Sequence, residues 1–294
     1  MPELPEVEVL KRGLNELIVN QTVKAISSIN SPRSLIGSLS DINRFVVGAK
    51  ITEINRRGKM IIINLSSGYC LVVHLKMTGQ LVYRSDDEQK NFGAGHPTNS
   101  LVGQLPDRSS RVVIVLEKGT LFFNDQRKFG WIRLIHKNLL EDIKLYRTMG
   151  PEPLEGIPKN QFSANLSRRA NLKIKPALLD QTVIAGVGNI YADESLWMAQ
   201  IHPSTRVKNV PAASRGLLLD SIVDSMNTSI NFGGSTDRNY VNAKGQGGSY
   251  LKFAKVFRRE GLLCPRCGSE IIKIKLAGRG THFCPVCQKE EQSS

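Results

Sequence analysis

Nowhere in its 294 residues does this chain carry an apolar run near the roughly 20 residues that cross a bilayer. Its start also lacks the charged-then-apolar pattern of a secretory signal. These absences set a membrane aside as partner and predict a cytoplasmic protein. No internal repeat is present. Cysteine is scarce, five in all, and one stands apart in the apolar run Cys70-Leu-Val-Val-His-Leu75, where a buried thiol is expected. Acidic residues are also in deficit, 26 Asp and Glu against 40 Lys and Arg, for a formal net charge of +14. That surplus must face something acidic. Nucleic acid is the leading candidate; charge alone leaves a small acidic ligand open.

The other four cysteines crowd the end of the chain as Cys264-x2-Cys267 and Cys284-x2-Cys287. Each pair can turn two sulfurs toward one metal, and four thiolates at this spacing suit one tetrahedral zinc. Four like ligands leave no open position, so the metal is expected to be structural. Two disulfides are the alternative, which the paired spacing and the lack of a secretory signal disfavour.

With 294 residues the chain can bury two cores. Val7, Leu10, Leu14, Leu17 and Ile18 recur at helical spacing after Pro5, which suits a first helical turn. From Phe45 to Ile135 the pattern becomes short β-rich runs at 46–54, 60–65, 70–75, 80–83, 112–116, 121–124 and 131–135, which predicts an antiparallel sandwich or barrel. The polar stretch between Arg84 and Arg111 is too long for a hairpin loop and is expected to be a mobile excursion. Gly150-Pro-Glu-Pro153 resembles a linker, and helical patterns follow at 162–168, 172–179, 190–198 and 211–230. The glycine-rich segment 232–250 is expected to be flexible, and a zinc-clamped β-hairpin closes the chain. The class is α+β. The expected division is a β-rich domain at 1–136, a linker at 137–158, a helical domain at 159–262 and the zinc-clamped end at 263–294.

Three motifs stand in order along the chain: Met1-Pro-Glu-Leu-Pro-Glu-Val-Glu8, Ile184-Ala-Gly-Val-Gly-Asn-Ile-Tyr191 and Gly278-Arg-Gly-Thr-His-Phe-Cys284. Together they resemble the bacterial formamidopyrimidine-DNA glycosylases, bifunctional enzymes that excise oxidised purines such as 8-oxoguanine from duplex DNA. The resemblance spans nearly the whole chain. It implies a β-sandwich domain, a helix–two-turn–helix domain, a zinc finger and a monomer that repairs damaged DNA by base excision and then cleaves the strand by β,δ-elimination. Two departures are visible, a longer segment after Arg84 and Phe257 where tyrosine is commoner.

Pro2 carries its own chemical logic. Removal of Met1 would expose a secondary amine, and an α-amino group with a pKa of about 8 is partly unprotonated near neutrality. Attack at the sugar C1′ would expel the base and leave an iminium that acidifies C2′. With Met1 in place the nitrogen is an amide and cannot attack. Glu3 and Glu6 lie within one helical turn of that amine; Glu8 falls elsewhere on the wheel and is expected to be solvated.

The resemblance implies Pro2, Glu3, Lys59 and Arg279 as catalytic residues, with Glu3 moving protons at O4′, Glu6 in the lesion pocket and Lys59 at the phosphate and lesion. It implies DNA contacts at His74, Asn189, Arg279 and, more weakly, Lys175. Met77, Arg127 and Phe129 would fill the gap left by the extruded base. The zinc ligands are Cys264, Cys267, Cys284 and Cys287. A noncatalytic DNA-binding scaffold and an RNA- or ribosome-binding protein are the competing readings; neither has a use for an exposed N-terminal proline.

Overall fold

The computed structural model describes residues 2–87, 89–96, 98–235 and 249–290. The chain forms two units, the first from Met1–Arg147 with Ile230–Ser249, the second from Thr148–Ser229 with Tyr250–Ser294.

The first unit opens with α1 (Leu4–Ile18), whose Leu4, Val7, Leu10, Leu14 and Ile18 form one fully buried stripe. Spacing of three and four residues puts these side chains on one face, as the sequence predicts. Truncating one of them, Leu10→Ala, would cost about 2–5 kcal/mol through lost burial and the cavity left behind. Strands β1 (Val23–Ser28) and β2 (Leu35–Ile36) follow, then α2 (Leu39–Phe45), β3 (Ile51–Arg57), β4 (Met60–Leu65), β5 (Tyr69–His74), β6 (Gly79–Ser85) and β7 (Phe92–Gly95). The unit continues with β8 (Ser110–Leu116), β9 (Gly119–Asp125), β10 (Trp131–His136) and the short α3 (Lys144–Arg147).

These strands make two five-stranded sheets, in the orders β1-β8-β9-β6-β7 and β2-β10-β5-β4-β3. All pairs are antiparallel except β2 with β10. One core joins them: Ile61, Val73 and Ile132 of one sheet share it with Leu81, Ile114 and Phe123 of the other. The antiparallel sandwich expected from the strand spacing is therefore present.

Two local expectations are corrected. The strand expected over 46–54 begins only at Ile51, because Val46–Ala49 closes the turn after α2, a helix started by the Ser38 hydroxyl accepting the Asp41 N–H. The stretch after Arg84 is not a mobile excursion over its described residues. It supplies β7, paired to β6, and buries Phe92 and Leu101. The Phe92 ring fills the space where a side chain at Gly13 of α1 would stand. Asp107 then fixes the return to β8 by accepting from the Ser100 and Ser109 hydroxyls. A polar sequence is held here by a few long-range apolar anchors.

The second unit carries α4 (Lys159–Ser167), α5 (Ile174–Leu179), α6 (Asn189–Met198), α7 (Ala212–Asn231) and a hairpin of β11 (Ile272–Leu276) and β12 (Arg279–Phe283). The hairpin turn, Ala277-Gly278, has positive φ at both residues (46° and 77°), which suits the right-handed twist of paired strands. Most of the segment expected to be flexible, 236–248, lies outside the described residues. Among the described residues no helix is long and apolar enough to cross a membrane.

Candidate functional site

Pro2 and Glu3 precede α1 and are both buried, Glu3 as the N-cap residue. An N-terminal turn leaves backbone N–H groups without helical partners. Here the Glu6 carboxylate returns to accept the Glu3 N–H at 2.8 Å, closing a capping box. Its other oxygen accepts the Ser235 N–H at 2.9 Å. Glu6 thus joins the head of α1 to the start of the glycine-rich segment 232–250.

Polar contacts set where the head of α1 lies. Asn15 exchanges two hydrogen bonds with the Ile54 backbone, at 2.9 and 3.2 Å, and Glu8 pairs with Arg56 at 3.0 Å. The helix therefore runs its N-terminus toward the β3–β4 turn, Gly58-Lys59. Glu8, expected to be solvated, is instead buried and is corrected on this point. Burial pushes its carboxyl up, but Arg56, Arg12 and Lys11 outweigh that and hold it down at about 2. The sequence signal was Arg56, whose partner lies 48 residues away and could not be read from helical spacing.

Lys59, itself buried, leads into β4, where Met60 pairs with His74 of β5. His74 is buried, and that burial, reinforced by the charges of Lys76 and Lys59, pushes its pKa down to about 3. Its Nδ1 accepts the Lys76 N–H at 3.0 Å, so Nε2 carries the ring hydrogen. His74 is a neutral donor beside a lysine, suited to a phosphate oxygen. Trp131 of β10 is its other strand neighbour, with ring centroids 5.8 Å apart.

Met77, Arg127 and Phe129 belong to two adjacent loops, β5–β6 and β9–β10. Asp125, almost fully buried, holds these loops together by accepting the Thr78 hydroxyl, the Arg127 N–H (3.2 Å) and the Gly130 N–H (2.7 Å). A side chain at Gly130 would strike Phe123, so the loop must return there through glycine. The outcome is an exposed tip, with the Arg127 guanidinium 4.9 Å from the centroid of Phe129, which is 56 % exposed. Asp125 was missed in the sequence because the loop it ties to its own, through Thr78, lies 47 residues away.

In the second unit, the two turns between α5 and α6 are organised by Gln181, which donates to Val187 O (2.9 Å) and accepts from Gly186 N (2.9 Å). Gly186 takes a positive φ of 80°, and Asn189 starts α6. A helix N-terminus preceded by glycines turns its backbone N–H groups and a positive dipole end toward an anion. Asn189 Nδ2 donates to Gly280 O at 3.0 Å, which brings the hairpin tip, with exposed Arg279, beside this helix start. Lys175 departs from its expected phosphate contact. It is 1 % exposed, ion-paired with Asp193 at 2.6 Å, and donates to Gly280 O and the Thr281 hydroxyl. An ammonium has three donors, and these three partners occupy it.

The sulfurs of Cys264, Cys267, Cys284 and Cys287 all lie within 4.8 Å of one another, with contacts of 3.9 Å (Cys264 to Cys287) and 3.5 Å (Cys267 to Cys284). Zinc–sulfur bonds of about 2.3 Å in a tetrahedron place sulfurs at about this separation. The donor set therefore fits one structural zinc. Trp197 Nε1 donates to Cys264 Sγ at 3.4 Å, and the Arg266 guanidinium lies over the Trp197 ring while donating to Trp197 O, so the metal site is fastened to the end of α6.

Three family models cover this chain in sequence order: the formamidopyrimidine-DNA glycosylase N-terminal domain over residues 1–132, the H2TH domain of the same glycosylases over 149–240, and a zinc finger found in FPG and IleRS over 261–289. The formamidopyrimidine-DNA glycosylase of Pelotomaculum thermopropionicum is 38% identical over 290 residues, covering 98% of this chain and 99% of that protein. A solved complex between a mutant Lactococcus lactis FPG and a Fapy-dG containing DNA is similar over 98% of this chain and 100% of that one, at 36% identity and a TM-score of 0.86. A structure of MutM with carbocyclic 8-oxo-G containing DNA matches over the same shares, at 35% identity and a TM-score of 0.84.

Proposed function

The chain belongs to the formamidopyrimidine-DNA glycosylase family, and from that premise we propose that it excises oxidised purines from damaged duplex DNA through the amine of Pro2. It is a glycosylase and abasic-site lyase of base-excision repair, and the 8-oxo-G and Fapy-dG held by its relatives name the substrate class. The observation that carries the reading is the head of α1: a buried glutamate directly after Pro2, fixed by Glu6, on a helix directed at the Lys59 turn.

Once Met1 is removed, the Pro2 nitrogen has a lone pair for C1′ of the lesion nucleotide. Its attack breaks the bond from C1′ to the base, which leaves with a proton. Glu3 protonates O4′ as the ring opens, and a C1′=N⁺ iminium results. Loss of a C2′ proton then breaks the C3′–O3′ bond, and a second elimination breaks C5′–O5′. Lys59 and neutral His74 would hold the phosphate beside the lesion, Arg279 and Asn189 would grip backbone phosphate, and Met77, Arg127 and Phe129 would occupy the gap. The zinc supplies structure to the hairpin and takes no part in these steps.

The direct test is product analysis on an 8-oxoguanine duplex. Free 8-oxoguanine together with a one-nucleotide gap bearing phosphate at both ends is expected. Release of base with an intact strand would remove the lyase half, and no release would leave the DNA-binding scaffold as the better reading.

A further inference from the structure

Beneath the Arg279 turn lies a buried ionic group. Asp193, on the turn of α6 after Asn189, is 1 % exposed. One oxygen lies 2.6 Å from Lys175 Nζ; the other accepts the His282 N–H at 3.0 Å and is 3.1 Å from His282 Nδ1. Lys175 comes from α5 and His282 from β12, so a single carboxylate joins three elements.

This junction has a direction. Lys175 and Asn189 both donate to the carbonyl of Gly280, the residue next to Arg279. Taking a lysine and an aspartate out of water costs several kcal/mol per ion, which a hydrophobic pair would avoid. Such a pair is weak as a source of stability, and its geometry has a better use in fixing position. We infer that Asp193 is a positioning residue. Through Lys175 and His282 it fixes the Gly280 carbonyl, and so sets the spacing between the two phosphate ligands, Arg279 on the hairpin and Asn189 on the helix. Lys175 is its counter-ion in this arrangement and not a phosphate ligand. The inference rests on the proposed phosphate grip of those two residues.

The test is a set of variants of the full zinc-loaded chain, read by affinity for undamaged duplex across a salt series. Asp193→Asn keeps size and acceptor but removes the charge. It should keep its zinc, weaken binding roughly 3- to 100-fold and flatten the log–log salt slope by about 0.9, the loss of one phosphate. Its single-turnover excision rate at saturating enzyme should stay within about twofold of wild type, a split that general destabilisation would not give. The pair Lys175→Met with Asp193→Asn should bind no worse than either alone, and in an Arg279→Ala background Asp193→Asn should add little. Should Asp193→Asn lose zinc, Lys175→Met carries the same comparison. Wild-type affinity and slope in Asp193→Asn, or an undiminished effect in the Arg279→Ala background, overturns the inference while leaving the phosphate grip in place. If Arg279→Ala itself binds normally, the grip fails and this inference with it.

Discussion

Glu6 Oε1 accepts the backbone N–H of Ser235 at 2.9 Å, across 229 residues of sequence, while its other oxygen holds the N–H of Glu3. One carboxylate therefore bridges the head of α1 and the beginning of the segment that leads into 236–248. A hydrogen bond to a charged group contributes about 1.5–3 kcal/mol, and Glu6→Ala removes two. Single-turnover excision of 8-oxoguanine should fall at least tenfold, with duplex affinity little changed. Glu6→Gln, which retains one acceptor oxygen, should fall between. Equal rates in Glu6→Ala and wild type would reduce Glu6 to a helix cap.

Acid should act on this site through two groups with different windows. Glu8 is held at about 2, below its ordinary 4.5, so its pairs stabilise the fold above pH 4.5 and that stability is lost as pH falls toward 2. His74 is pushed down to about 3 from 6.5, so folding opposes its protonation, and stability declines as pH falls from 6.5 toward 3. Thermal unfolding from pH 7 to pH 3 should show His74→Gln losing less than wild type between pH 6.5 and 4.5. Because His74 stays neutral, His74→Ala should weaken duplex binding without flattening the salt slope; a slope shallower by about 0.9 would mean that it binds as a cation.

Much of this was legible in advance, where chemistry is local. Two Cys-x2-Cys pairs announce a metal at any distance, and the stripe from Val7 to Ile18 needs only helical spacing. Partners far apart in sequence hid the rest. Phe92 reads as one aromatic in a polar stretch until it meets Gly13, and Glu8 reads as surface until Arg56 arrives. Lys175 resembles any basic residue near a phosphate motif; only its burial against Asp193 shows that its donors are taken. Asp125 gave no signal, since its work is to hold two loops whose adjacency the fold creates.

Arg127 and Asp125 lead to a prediction about the opposite base. A guanidinium can donate to the O2 and N3 acceptors of cytosine, whereas adenine presents a donor beside its acceptor. Excision opposite cytosine should exceed that opposite adenine by roughly 5- to 150-fold, a difference of about 1–3 kcal/mol. Arg127→Ala should flatten the ratio, Asp125→Ala should do so by releasing the loop, and Phe129→Ala should slow both substrates alike. An unchanged ratio in Arg127→Ala would take Arg127 out of this role.

Zinc should matter for binding and not for chemistry. Chelation, or Cys264→Ala, should free the hairpin from α6 and abolish duplex binding, whereas Arg279→Ala should weaken binding with zinc content intact. Metal-free protein that bound and cut damaged duplex normally would contradict this assignment.

In this mechanism the Pro2 nitrogen becomes bonded to the sugar. Borohydride reduction during reaction with an 8-oxoguanine duplex tests it directly, with mass spectrometry locating the adduct on a chain shown to begin at Pro2. A covalent protein–DNA species with DNA on Pro2 is expected, with poor trapping in Pro2→Gly and none when the N-terminus is extended. Full trapping and cleavage by the extended protein, or an adduct on a lysine, would contradict it.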